Sequence, residues 1–354
     1  MIDALTAVGR AAGLDAVGVA AAVPFERTRR DLEARKAQGL AADMAFTYRR
    51  PERSTDPGQA LPGATSLVVG ARSYADEAGV VAGLPGPRPT GRVARYARHD
   101  HYAALRDGLG AIAAHLRGEG WRTRVLVDDN ALVDREAAVR AGLGWYGKSA
   151  NVLLPGRGSW FVLGSVVTDA PLAPAEAPVA DGCGSCTRCL DGCPTGAIVA
   201  DGVVDARRCL AWLVQAPGTF PVEHREALGD RIYGCDDCQE VCPPNRRADR
   251  LQGDDVDLDG TATVDLLDLL EADDATLLAR HGRWYIAGRD PRYLRRNALL
   301  ALGNTADPDH PAVRRAIDRV RAGDDDLLRE HATWAAVRLA ARRRHAPVAV
   351  EVRR

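Results

Sequence analysis

The sequence predicts three parts in series: a mixed α/β domain over residues 1–172, a segment at 180–247 that binds two iron–sulfur clusters, and an all-α domain over 261–347. Three observations predict them. Short apolar runs alternate with helical stretches up to about residue 170. All eight cysteines fall between Cys183 and Cys242. After Thr261, apolar positions recur at helical spacing.

In the first part, residues 2–12 form a helix leading into the apolar strand Ala16-Val17-Gly18-Val19-Ala20. A charged helix spans 25–38. Ser66-Leu67-Val68-Val69-Gly70 is a buried strand, short, apolar and bounded by Pro62-Gly63. A helix at 101–117 and a strand at 124–128 follow. The helix at 132–141 ends at Gly142, a suitable C-terminal cap. Further strands lie around 151–154 and 160–168. The Pro/Ala-rich stretch 171–178 is a linker. The acidic, apolar-poor stretch 249–259 is a second one.

The third part carries helical patterns at 264–270, 293–302, 310–320 and 327–343. The run from Arg296 to Asn304, followed by Asp307-Pro308, has the form of a HEAT-type helix and turn. The stretch from Glu330 to Val337 repeats it. One or two such pairs make a solenoid cap, an architecture that usually binds.

Composition bounds the rest. At 354 residues the chain holds two or three domains, and 46% hydrophobic with 27% charged residues describes a soluble globular protein. The net charge of −1 argues against a uniformly nucleic-acid-coating surface but leaves room for a local basic patch. The N-terminus lacks a basic stretch before an apolar core, and no apolar run reaches the roughly 20 residues of a membrane span. A cytoplasmic protein without membrane association is expected.

The cysteines carry the strongest signal. Cys183-x-x-Cys186-x-x-Cys189-x-x-x-Cys193-Pro194 is the bacterial ferredoxin run, whose fourth cysteine serves the other of two clusters. Cys209 and Cys235-x-x-Cys238-x-x-x-Cys242-Pro243 supply the other four. Pseudo-twofold logic gives Cys183, Cys186, Cys189 and Cys242 to one 4Fe-4S cluster, and Cys193, Cys209, Cys235 and Cys238 to the second. Zinc also favours C-x-x-C pairs, but the paired C-x-x-x-C-P steps favour clusters. A disulfide scaffold suits small secreted domains, not eight cysteines confined to one part of a long chain. The second set is stretched, and the insertion from Trp212 to Tyr233 is expected to face whatever receives the electrons.

The flanks give those electrons a destination. Arg50-Pro51, Arg53, Asp56-Pro57 and Leu61-Pro62-Gly63-Ala64, then Arg95-Tyr96-Ala97 with Asp100, Val133-Asp134-Arg135, and Ala141 through Lys148 (Ala-Gly-Leu-Gly-Trp-Tyr-Gly-Lys) resemble motifs of the epoxyqueuosine reductases. The cysteine pattern and Tyr293 through Ala298 match too, so the resemblance covers nearly the whole chain. One departure is Asp100-His101-Tyr102, where the family usually has Asp-Tyr-His.

The resemblance implies a nitroreductase-like α/β domain that binds cobalamin near the clusters. It also implies reduction of epoxyqueuosine to queuosine at the tRNA wobble position. The partners are then the tRNA anticodon loop and an external electron donor, and the enzyme a monomer. Asp134 is the implied catalytic acid; read alone, it is a first-turn aspartate favoured by the helix dipole. Lys148 is one of only two lysines, with Lys36, in a chain that otherwise uses arginine, and a cofactor contact is expected of it. Arg95, Ser149, Asn151, Ser159, Thr168 and Gln215 are further candidates for cofactor contact. Arg135 and Glu136 are expected on a solvated helix face. For tRNA, Arg283, Arg289, Arg292, Arg295 and Arg296, interleaved with Trp284, Tyr285 and Tyr293, suit phosphate contacts and base stacking; the plainer alternative is a solvated helix face.

Three rivals stand beside this reading. A cobalamin-dependent reductase of a small molecule, as in dehalogenases, would have no use for the arginine cluster. A non-catalytic ferredoxin-type electron carrier would bind no corrinoid. A paralogue could act on another modified nucleoside.

Overall fold

The computed structural model describes residues 1–75, 88–252 and 262–345. The expected linker at 249–259 therefore lies largely outside the described residues. The chain forms two compact units, each discontinuous in sequence. The first comprises residues 1–79, 95–209 and 236–257; the second, 80–94, 210–235 and 258–354.

The first unit is built on a four-stranded antiparallel sheet. Its order is Ala16–Ala21, Ser66–Ser73, Phe161–Thr168, Thr123–Val127. Both faces are covered, so the central strands read as continuous apolar runs. Val68 and Val166 face the helices Ile2–Ala11 and His101–Gly118, packing with Leu5, Leu105, Leu109 and Ile112. Leu67, Val69 and Val167 face the other way, toward Ala137 and Ala138 of the helix Asp134–Arg140. That is the two-residue alternation of a strand.

Glycine sets the closeness of the helix His101–Gly118. Gly70 and Gly164 pair across the sheet. A Cβ on either would stand 2.9 or 2.8 Å from the Leu109 methyls, so Leu109 seats on the bare backbone. Asp100 starts this helix by accepting the Ala103 N–H at 2.9 Å. The helix Asp134–Arg140 stops as its sequence foretells. Gly142 takes φ +70°, and the N–H groups of Gly142 and Leu143 return to the carbonyls of Val139 and Ala138.

The second unit departs from the all-α expectation. Thr263–Asp265 is a strand, antiparallel to Thr90–Val93, which in turn runs parallel to Arg231–Tyr233. The β-branched pair Thr263-Val264 favours that pairing, and Asp265 then caps the helix Leu266–Glu271. Its other long helices are Arg292–Thr305, Pro311–Arg321 and Asp326–His345. The insertion after Cys209 contributes core: Leu210, Leu213, Val214, Phe220 and Leu228 pack around Leu300. These five side chains are thus committed to this unit's interior.

Candidate functional site

Cys183, Cys186, Cys189 and Cys242 line one cavity of about 90 Å³. The first three sit on a tight loop: the Cys186 N–H donates to the Cys183 carbonyl, Gly184 takes φ +50°, and Cys189 lies in the short helix Arg188–Asp191. Cys242 follows the helix Asp237–Glu240. No cysteine is in a disulfide. Burial pushes the Cys242 thiol up to about 11, and the neighbouring Cys183, Cys189 and Cys186 add to it. Burial raises Cys189 as well. Four crowded sulfurs ionise together only when cationic iron supplies the compensating charge, and the donor set fits a 4Fe-4S cluster. In the second set, Cys193 accepts the Ala197 N–H at 3.2 Å. Cys193, Cys209 and Cys238 belong to the first unit and Cys235 ends a segment of the second.

Asp134 opens the helix Asp134–Arg140, held at its start by the Val133 N–H donating to the Ser54 carbonyl. Its Oδ1 is sealed from solvent and has no hydrogen-bond partner among the described residues. The carboxyl is held well above the usual range, first by burial and then by Asp128 and Asp129, with Arg135 opposing. Asp128, at φ +52°, is itself raised by burial. The phenols of Tyr74 and Tyr102 are raised by burial too and stay protonated. The group therefore holds its proton more tightly than an ordinary carboxyl and keeps one uncommitted oxygen. Arg135 is exposed but not idle: it donates to the Ala150 carbonyl at 2.9 Å, tying this helix to the turn at 147–151.

That turn carries three of the cofactor candidates. The Gly147 N–H donates to the Asn151 carbonyl at 2.8 Å, and Asn151 Nδ2 to Ser149 Oγ at 3.4 Å. Lys148 Nζ pairs with Asp201 at 3.2 Å, and both Lys148 and Ser149 line the cysteine cavity. The structure thus places Lys148 and Ser149 beside the first thiol set.

The remaining candidates hold the fold. Arg95 is buried, donating its N–H to Asp236 at 2.7 Å and its guanidinium to Asp249 at 2.8 Å, over the Trp160 ring. Ser159 accepts from Asn245 Nδ2 and Gln239 Nε2. Thr168 corrects the expectation made of it: fully buried, its hydroxyl donates to the Arg122 carbonyl and accepts the Ala170 N–H, leaving nothing for a cofactor. Gln215 lies in the second unit.

The arginine series divides. Arg296 is a correction: it is fully buried and donates to the carbonyls of Leu213, Val214, Ala216 and Gly218, so it cannot meet a phosphate. Burial lowers it to about 10, still charged at neutral pH. Trp284 is also buried, stacked on Tyr233 at 4.7 Å. Arg295 is mostly covered and held by Asp274, and Arg292 is held by Asp290 and Asp325. Arg283 and Arg289 are exposed, as is Tyr285.

Sequence reasoning missed Tyr74, Tyr102, Asp128 and Trp145. The acid pair Asp128-Asp129 closing a strand was a usable signal. The tyrosines gave none: Tyr102 is raised in part by the charge of Asp134, and the Tyr74 hydroxyl accepts from Gln239, both far away in sequence.

Comparison with known proteins agrees with this geometry. A 4Fe-4S double cluster binding domain family matches residues 182–245. Epoxyqueuosine reductase of Bacillus cereus is 33% identical over 93% of this chain and 86% of its own length. That of Vibrio cholerae is 37% identical over 84% of this chain and 81% of its own. Among solved structures, epoxyqueuosine reductase with an epoxyqueuosine-modified tRNA-Tyr stem loop superposes with a TM-score of 0.81 at 29% identity, covering 95% of this chain and 89% of that one. The Bacillus subtilis enzyme, with its catalytic aspartate loop swung out of the active site, gives 0.82 at 30%, covering 95% and 90%.

Proposed function

The chain belongs to the epoxyqueuosine reductase family, an oxidoreductase with a 4Fe-4S binding domain that reduces epoxyqueuosine to queuosine in tRNA, and we propose how its residues divide that work. Removing the epoxide oxygen takes two electrons and two protons: two C–O bonds break, a C=C bond forms and water leaves. The first cluster is held by Cys183, Cys186, Cys189 and Cys242, the second by Cys193, Cys209, Cys235 and Cys238. Asp134 supplies a proton to the departing oxygen. The observation that carries this role is its sealed, unpartnered Oδ1, on a carboxyl whose hold on its proton burial strengthens.

Cobalamin is the intermediary this reading calls for; when bound, it would take electrons singly and deliver them as a pair. Lys148, Ser149 and Asn151, presented by one turn beside the first thiol set, and the open oxygen of Asp134 fit such a group. Arg95 and Ser159 bond to Asp236, Asp249, Gln239 and Asn245, which flank Cys242 in sequence. The first unit's sheet is read as nitroreductase-like and the helices of 292–345 as HEAT-like. The exposed Arg283, Arg289 and Tyr285 are read as contacts to the tRNA anticodon loop. A monomer in the cytoplasm served by an external electron donor completes the reading.

Anaerobic purification with cobalamin tests it. Iron near eight per chain, a corrinoid spectrum and conversion of epoxyqueuosine to queuosine in isolated tRNA are expected. A protein with full iron and corrinoid that leaves the epoxide intact would overturn the assignment.

A further inference from the structure

The cavity of the four thiols has one more wall than its chemistry requires. Trp145 stands there on a two-residue strand, Trp145–Tyr146, paired with Val152–Leu153. It is 91% buried, its side chain being 9% exposed, and its indole Nε1 has no hydrogen-bond partner among the described residues. A buried indole N–H without an acceptor is costly, so Trp at such a site normally finds one.

What the ring packs against narrows the choice of acceptor. Gly182, the residue before Cys183, packs closely against the indole. A Cβ there would stand 2.6 Å from Cζ2 and 3.2 Å from Cε2. Cη2 would be 3.0 Å away, so the benzo ring rests on the start of the cysteine loop, and Nε1, one bond from Cε2, belongs to a ring that lines the four-thiol cavity. Only a glycine allows that approach. The one kind of acceptor this cavity is built to hold is sulfur, thiolate or sulfide. Hydrogen bonds to cluster sulfurs are among the groups that set cluster potential, because they stabilise the more negative, reduced form.

We propose that Trp145 donates its indole N–H to a sulfur of the first 4Fe-4S cluster and thereby holds that cluster's reduction potential up. Trp145 is a positioning and tuning residue, not a catalytic one. The proposal rests on the cluster assignment to Cys183, Cys186, Cys189 and Cys242, and the neighbouring Lys148 ammonium, paired with Asp201, contributes charge to the same wall. The turn at 147–151 that carries Lys148 continues directly from Trp145-Tyr146, so one short hairpin delivers both groups.

A redox titration followed by low-temperature EPR reads the effect. Trp145→Phe keeps the ring and removes the donor. With iron content unchanged, one of the two clusters is expected to become harder to reduce. At a fixed potential its reduced-to-oxidised ratio falls roughly tenfold, a shift of about 59 mV for a one-electron couple. The other cluster stays put. Gly182→Ala, which pushes the ring off the loop, shifts the same cluster the same way. Full iron with both midpoints unmoved overturns the proposal. Should either variant lose iron, the native protein decides. In pulsed EPR of protein carrying 15N only in its tryptophan indoles, a 15N coupling to a reduced cluster supports the bond, and no coupling overturns it. Native protein purified without iron would instead sink the cluster assignment itself.

Discussion

The cysteines of 183–189 and the arginines of 283–296 are both dense runs of one side chain, yet they meet opposite fates. The three cysteines are joined by Cys242 around one cavity. The five arginines scatter: Arg283 and Arg289 are exposed, Arg292 and Arg295 are held by aspartates, and Arg296 is buried. The difference lies in what sets direction. A tight loop turns successive C-x-x-C sulfurs to one side by local geometry alone. A helix distributes its side chains all round, and what surrounds the helix decides which are covered.

The largest test breaks the cysteine side. Cys186→Ser is expected to drop iron from about eight to about four per chain and to abolish turnover, read by iron analysis and queuosine formation. Iron that stays whole would separate Cys186 from the first set.

Next comes Asp134, the buried acid with an unpartnered oxygen, against Arg296, whose donors are satisfied. Asp134→Asn should lower turnover roughly 10²–10⁴-fold while iron is retained. The sign of its pH dependence follows from a raised pKa. The folded acid holds its proton beyond the unfolded value, so its stability contribution is full below the unfolded pKa and is lost as pH rises through the folded one. Turnover of the native enzyme should fall over that same rise, and Asp134→Asn should be no less stable than the native protein at neutral pH. Unaltered turnover would remove Asp134 from the chemistry.

Arg296→Leu should cost about 3–5 kcal/mol, seen as a lower Tm, because four carbonyls lose their donors. His331 gives the same unit a smaller acid sensitivity. It is neutral and buried, accepting the Phe220 N–H at 3.1 Å, and burial lowers it to about 4. Its contribution is present above the unfolded value and lost as pH falls through about 4. His331→Gln should flatten that acid limb of the stability profile.

The smallest effects belong to the exposed pair. Arg283→Ala and Arg289→Ala should leave Tm unchanged, weaken tRNA binding a few-fold, and each reduce the salt slope by about one. Unchanged affinity and slope would return both to an ordinary solvated surface.

Much of this was legible in advance. The four strands of the first sheet announced themselves because both of their faces are buried, and the Gly142 cap because only glycine takes φ +70° without strain. The strand Thr263–Asp265 was masked by the helical pattern that begins at Leu266. Arg296 had a signal that went unused: Ala298 through Leu302 is apolar on every side, which marks a helix surrounded by protein.

By itself the sequence determined the paired-cluster cysteine pattern, through its spacing, and the family resemblance, through motifs along nearly the whole chain; the acid role of Asp134 came only as what that resemblance implies. Tertiary structure alone decided that Oδ1 of Asp134 lacks a partner, that Trp145 lines the four-thiol cavity with its buried N–H unpartnered among the described residues, and that Arg296 is spent on carbonyls 80 residues away. Burial and hydrogen-bond satisfaction depend on what packs against a group, and those neighbours come from distant parts of the chain.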